Sequence, residues 1–208
     1  MVKHFYEEIE LPIPPNRPLI ACNMVMSIDG KVTANGIQPA NLSSSFDRKT
    51  MRVIRSHFDA VLTGSNTIRQ FPLYLGVTPE FEQKRQSKGL APQPLTIILT
   101  NSGKLPAEGP LFTSPPRPPV IITSPKGADN LAVQVSKVSK VEILDAPTPQ
   151  AISTLLRDKY GVQRLLVEGG PSVNYQFMQA KLLDELFLTI TPHLIGKRTD
   201  FSLAMGAF

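Results

Sequence analysis

The chain has 208 residues, 41% hydrophobic and 19% charged, which suits one domain with a sizeable core, and no apolar run approaches the ~20 residues that span a bilayer. The first residues, MVKHFYEEIELPIPPNRP, lack the apolar stretch of a signal peptide, so the expected compartment is the cytoplasm. The net charge of +5 comes from basic residues spread without a block, which favours small anionic ligands over nucleic acid or a membrane.

In chain order, residues 1–16 read as a peripheral arm, because LPIPPNRP packs prolines that exclude helix and central strand. One domain is expected over 17–208. LIACNMVMS (19–27) reads as a buried strand and DGKVTANG as a turn region. SSSFDRKTMRVIRSHF (43–58) opens with capping serines and carries Met51, Ile54, Arg55 and Phe58 at helical spacing. DAVLTG (59–64) is a short strand with a helical turn, SNTIRQF, behind it. Residues 73–94 are polar and turn-rich, and predict a surface excursion before the strand LTIILT (95–100). After an irregular proline-dense stretch come the strand VIITS (120–124), the strand-like VSKVEIL, and a helix that starts at Thr148 or Pro149 and stops at Gly161. VQRLLVEGG supplies another strand, PSVNYQFMQAKL a helix, and DELFLTITPHLIG a last strand. Apolar runs alternating with helices predict an α/β fold, with a mostly parallel central sheet and helices on both faces.

In such sheets ligands bind beyond the carboxyl ends of the strands. That rule selects SIDG, TGSNT, LTNSGK, ITSPKG and VEGGPS as one candidate rim. Gly169 and Gly170 open backbone to an anion at a helix start, or simply make a tight strand-to-helix turn. Asp29 is either a proton-transfer carboxylate or the capping residue of an Asp-Gly turn. Glu168 follows LLV, and half-buried there it needs a partner, for which Lys31 and Arg55 are the candidates. Cys22 lies in an apolar run and reads as a structural thiol. With His4, His57 and His193 as the only histidines, no metal site is expected.

Four segments, NMVMSIDGKVT, NLSSSFDRKTMRVIRSHFDAVLTGSNTI, LTNSGKLP and LLVEGGPSVNYQFMQAKLLDELFLTITPHLIG, resemble in order and spacing the pyrimidine reductase of riboflavin biosynthesis, whose fold is similar to dihydrofolate reductase. The resemblance covers most of residues 17–196. It implies an NADPH-dependent reduction of a 5-phosphoribosylamino-pyrimidine, the aminouracil or its diaminopyrimidinone counterpart, to the ribitylamino product, in a homodimer. Gly64, Thr67, Thr100, Asn101, Ser102, Gly169, Gly170, Pro171 and Ser172 match cofactor-binding positions, and Lys104 is the cation expected for the cofactor's 2′-phosphate. Asn23, Ser27, Ser43 and Arg55 match positions around the substrate, with Arg55 expected on its phosphate. Asp29 and Glu168 match the catalytic positions.

The chain also departs from the family. RQFP (69–72) stands where the family carries Asp-Asp-Pro, and a basic residue that often follows is absent from LYLGVTP. No deaminase motif, H-x-E with P-C-x-x-C, accompanies the reductase segments, which together with Asn23 in place of a lysine implies the stand-alone type. The family continues past the PHLIG segment, so its last strands are not expected here. A reductase of a pteridine- or folate-like heterocycle, and a non-catalytic NADP-binding paralogue, are the rival readings.

Overall fold

In a computed structural model that describes residues 5–37, 39, 41–196 and 199–206, the apolar runs become seven strands of one sheet. They are β1 (Leu19–Ser27), β2 (Ala60–Gly64), β3 (Leu95–Thr100), β4 (Val120–Thr123), β5 (Lys140–Ile143), β6 (Arg164–Val167) and β7 (Glu185–Thr191). The sheet order is β5-β4-β3-β2-β6-β1-β7, and every ladder in it is parallel. β2, β3 and β4 are buried along their whole length, as strands covered on both faces must be, which explains their unbroken apolar runs.

Two apolar layers result. On one face Leu62, Ile97, Ile122 and Leu165 pack with Ile152 and Leu156 of α7 (Pro149–Tyr160) and Phe177 of α8 (Pro171–Gln179). On the other, Ala21, Val61 and Leu166 meet Ile54 of α1 (Ser45–Arg55) and Phe58, while Ile98 and Ile121 meet Ile68 of α2 (Ser65–Gln70). The capping signals operate as chemistry requires: Ser44 Oγ accepts from Asp47 N–H at 3.0 Å and Thr148 Oγ1 from Ala151 N–H at 3.2 Å, and Gly161 closes α7 in the left-handed region at φ 66°. His57, expected inside the first helix, lies beyond its end at Arg55. Its Nε2 shares a hydrogen with the Tyr6 carbonyl at 2.9 Å, which ties the 5–16 segment to the domain, and Leu11 of that segment is buried in the same cluster as Phe58.

The 73–94 excursion is more ordered than its polar composition suggests. It contains α3 (Pro79–Gln86), whose Arg85 is 1% exposed. The Arg85 guanidinium donates to the carbonyls of Ala91 (2.8 Å), Phe58 (2.7 Å), Ser56 (3.1 Å) and Arg55 (3.3 Å), so a cation satisfies carbonyls that the end of α1 leaves open. Burial lowers its pKa to about 10. At the neck, Gln93 accepts from Val77 N–H at 2.8 Å and donates to Val77 O at 2.9 Å, closing the excursion like a hairpin. Short helices α4 (Pro110–Thr113), α5 (Pro125–Asp129) and α6 (Val133–Val138) fill the remaining connections. Among the described residues no helix is long and apolar enough to cross a membrane.

Candidate active site

β6 enters the sheet late and inserts between β1 and β2, so its carboxyl end is flanked by two strands made much earlier. Val167 pairs with Cys22 and with Leu62, and one step further Glu168 comes level with Asn23 and Thr63. Its N–H still donates to Leu62 O at 2.8 Å, and Gly64 N–H donates to Gly169 O at 2.7 Å. Beyond this point the chains diverge into α2 and α8, and a cleft of about 1730 Å³ opens. Asn23, Ser43, Arg55, Gly64, Thr67, Asn101, Ser102, Glu168, Gly170, Pro171 and Ser172 all line it. Of the five strand ends expected to form the rim, TGSNT, LTNSGK and VEGGPS supply residues to this cleft, whereas SIDG and ITSPKG supply none.

Glu168 is bound in a fork. Arg55 Nε donates to Oε1 at 2.8 Å and Nη2 to Oε2 at 2.5 Å, with side-chain exposures of 9% and 10%. A third guanidinium hydrogen goes to Gly76 O at 3.3 Å. The phosphate expected on Arg55 would find its Nε–Nη2 edge already committed to Glu168, because the end of a covered strand cannot leave a carboxylate without a cation. The available cations are one and two turns back. Arg48 and Arg52 line the cleft and are exposed. Arg48 Nη1 donates to Ser43 O at 2.5 Å, while Arg52 makes no side-chain hydrogen bond or ion pair among the described residues. Positions 48, 52 and 55 form a helical stripe, a signal readable in the sequence but not used above. Asp47 also lines the cleft, its Oδ2 accepting from Ser43 Oγ at 2.6 Å.

Across from the arginines, α2 and α8 begin side by side. Gly169, at φ 80°, occupies a conformation that disfavours side chains, and a Cβ there would meet Met24 Sδ at 3.2 Å. At Gly170 the nearest atom to a Cβ is Thr67 Oγ1 at 4.0 Å, so the glycine leaves a hollow lined by the Thr67 hydroxyl, with the exposed Ser172 in the first turn of α8. Donors converging on a hollow at the start of a nine-residue helix fit a diphosphate. Thr100 and Lys104 are not part of this wall. Thr100 is buried and its hydroxyl accepts from Gly103 N–H at 3.2 Å, and the Lys104 carbonyl accepts from Arg69 at 2.9 Å. Neither residue is among those that line the cleft.

Asp29 and Ser27 also lie outside the cleft lining. Ser27 Oγ donates to Asp29 Oδ1 at 2.6 Å, and the carboxylate accepts from Ile195 N–H (3.2 Å) and Gly196 N–H (2.7 Å). Those bonds, the Ser27 hydroxyl first, hold its pKa down at about 2. Asp29 thus braces the turn after β1 against the turn after β7, the turn role that the sequence left open beside proton transfer. Cys22 is fully buried, and burial, helped by the nearby Glu168 charge, pushes its thiol up to about 12.

Residues 18–204 match the model of the RibD C-terminal domain. The chain belongs to that family. Among its relatives, the 2,5-diamino-6-ribosylamino-4(3H)-pyrimidinone 5′-phosphate reductase of Archaeoglobus fulgidus is 26% identical over 193 residues, covering 91% of this chain and 87% of the relative. The enzyme of the same name from Methanothermobacter thermautotrophicus is 26% identical over 194 residues, with coverage of 91% and 85%. In three dimensions a pyrimidine reductase-like protein from Corynebacterium diphtheriae superposes with a TM-score of 0.78 at 23% identity, covering 89% of this chain and 79% of that one. The likeness supports the fold. Family membership explains why the four sequence segments converge on one cleft.

Replacing Arg55 by Met leaves Glu168 half-buried without its cation and is expected to cost about 3–5 kcal/mol in urea unfolding, whereas the paired change Arg55→Met with Glu168→Leu loses less. For Asp29 the depressed folded-state value means that its contribution to stability is complete above the unfolded value of about 3.9 and disappears as pH falls toward the folded value. The stability gap between the wild type and Asp29→Asn, followed by denaturant titration, should be constant at neutral pH and close in strong acid.

Proposed function

We propose that the chain is an NADPH-dependent reductase of a 5-phosphoribosylamino-pyrimidine in riboflavin biosynthesis. The observation that carries this reading is the polarity of the cleft: exposed arginines on α1 at one wall, and the open helix start at Gly170–Ser172 on the other. A substrate that carries a phosphate and a cofactor that carries a diphosphate need such a pair of anion sites, separated by the reacting atoms. The names of the Archaeoglobus and Methanothermobacter relatives, which span most of their length with this chain, support the same reading.

Thr67, Gly170 and Ser172 would hold the diphosphate of NADPH, and the bound nicotinamide would supply the hydride that C1′ of the opened ribose accepts. Arg52, with Arg48 beside it, would bind the substrate phosphate. Asn23, level with Glu168 at the end of the central strands, would meet the polar edge of the pyrimidine through its amide. Glu168, held as a fork acceptor by Arg55, has its orientation set before substrate arrives. Phe71, in the segment that stands where the family carries Asp-Asp-Pro, and Leu73 just after it line the cleft and are 41% and 53% exposed. These apolar groups favour, as a second reading, a broader heterocycle such as a pteridine.

A second copy of the chain is the proposed partner. β7 is the outer strand of the sheet, and Leu186 and Ile190 on it are 46% and 57% exposed, beside Ile28 and Leu194 on the adjoining turns. An apolar, unpaired edge is what an isologous contact covers.

The deciding assay is anaerobic oxidation of NADPH, followed by nicotinamide absorbance, with the diamino and the deaminated phosphoribosylamino-pyrimidines. Turnover of either is expected. Arg52→Ala should raise KM for the phosphorylated substrate about 10-fold or more and leave NADPH affinity unchanged; reduction of an uncharged pterin that is indifferent to Arg52 would favour the second reading. In sedimentation the wild type is expected to run as a dimer and Ile190→Glu as a monomer.

A further inference from the structure

Residues 199–206 belong to none of the strands or helices, yet hydrogen bonds tie them down at several points. Asp200 is 5% exposed and its Oδ1 accepts from Gly36 N–H at 2.9 Å, while the Thr33 hydroxyl lies at 3.5 Å. The Asp200 carbonyl accepts from Lys31 Nζ at 3.0 Å. Phe201 is held on both sides of its backbone: its N–H donates to Thr33 Oγ1 at 2.9 Å and its carbonyl accepts from Val32 N–H at 2.8 Å. Further on, Leu203 O accepts from the buried Asn174 amide at 2.8 Å, and Met205 N–H donates to Pro171 O at 3.1 Å. The segment therefore runs from the 31–36 turn to the first turn of α8. Two of its side chains, Phe201 and Met205, line the cleft.

A substrate pocket for a planar ring needs an apolar surface for the ring face and polar groups for its edge. The residues that hold Phe201, Val32 and Thr33, line the same cleft as Asn23 and Ser43. A partly buried aromatic ring whose backbone is fixed by two hydrogen bonds is rigid enough to act as such a surface at small entropic cost. We infer that Phe201 is a specificity-determining residue, the face against which the substrate's planar heterocycle lies, and that Asp200 is the positioning residue that holds it there through Gly36 and Thr33. The inference rests on the reductase reading above and adds to it the residue that selects a flat aromatic substrate.

Phe201→Ala is expected to raise KM for the phosphoribosylamino-pyrimidine about 10-fold while the NADPH dissociation constant stays as in the wild type. Phe201→Tyr, which keeps the ring, should retain the wild-type KM. Asp200→Ala should reproduce the rise in KM, and Asp200→Asn, which keeps an acceptor oxygen for Gly36, should not. Because Asp200 acts through Phe201, the double variant Asp200→Ala with Phe201→Ala should be no worse than Phe201→Ala alone. An unchanged KM in Phe201→Ala, or effects that simply add, would overturn the inference. Calorimetric binding of the pyrimidine to the wild type and to Phe201→Ala separates this from failure of the reductase reading. A wild type that binds NADPH but no pyrimidine removes both ideas. One that binds the pyrimidine as tightly with alanine at 201 removes only the wall.

Discussion

A carboxylate at the end of a central strand covered on both faces must be paired, and the Arg55–Glu168 fork is how this chain meets that requirement. The pair joins the sheet to α1 at the point where the cleft begins, and the rest of the site is arranged around it. α1 is held at its other side by Arg85, which donates to the carbonyl of Arg55 itself. The 73–94 excursion touches the fork twice, through Gly76 O on the Arg55 side chain and through Arg85 on its backbone. A stretch with the composition of a loose surface loop is in this way part of the wall of the cleft.

Most of the architecture was legible because parallel strands buried on both faces write themselves as unbroken apolar runs, and because Ser44, Thr148 and Gly161 carry the capping chemistry that marks helix ends. The 73–94 excursion was not legible as structure, since α3 buries only Phe81 among its apolar residues and is otherwise fixed by the buried Arg85 and by Gln93. Tertiary hydrogen bonds leave no periodic trace in a sequence.

The site divides in the same way. Strand-end residues such as Asn23, Gly64, Glu168 and Gly170 could be placed because the sheet topology brings them together. Asp29 could not be told from a catalytic acid, for an Asp-Gly pair after a buried strand looks the same whether its carboxylate faces a ligand or braces two turns. Lys104 is a related case: a lysine near a cofactor motif says nothing about where its ammonium points. Phe201 and Met205 lie on a segment without regular structure, and only the folded chain shows that they reach the cleft.

The sheet order also bears on how the polypeptide is made. Of the seven strands β1 is made before the others, but its partners are β6 and β7, with Leu19 bonded beside Arg164 and Ala21 beside Glu185. Until β6 and β7 have been made, the apolar LIACNMVM stretch has no neighbour to pair with, while β2, β3, β4 and β5 can pair in the order they emerge. Nascent chains thus carry an unsatisfied β1 until β6 emerges, a contact pattern that slows folding and invites chaperone engagement at that strand.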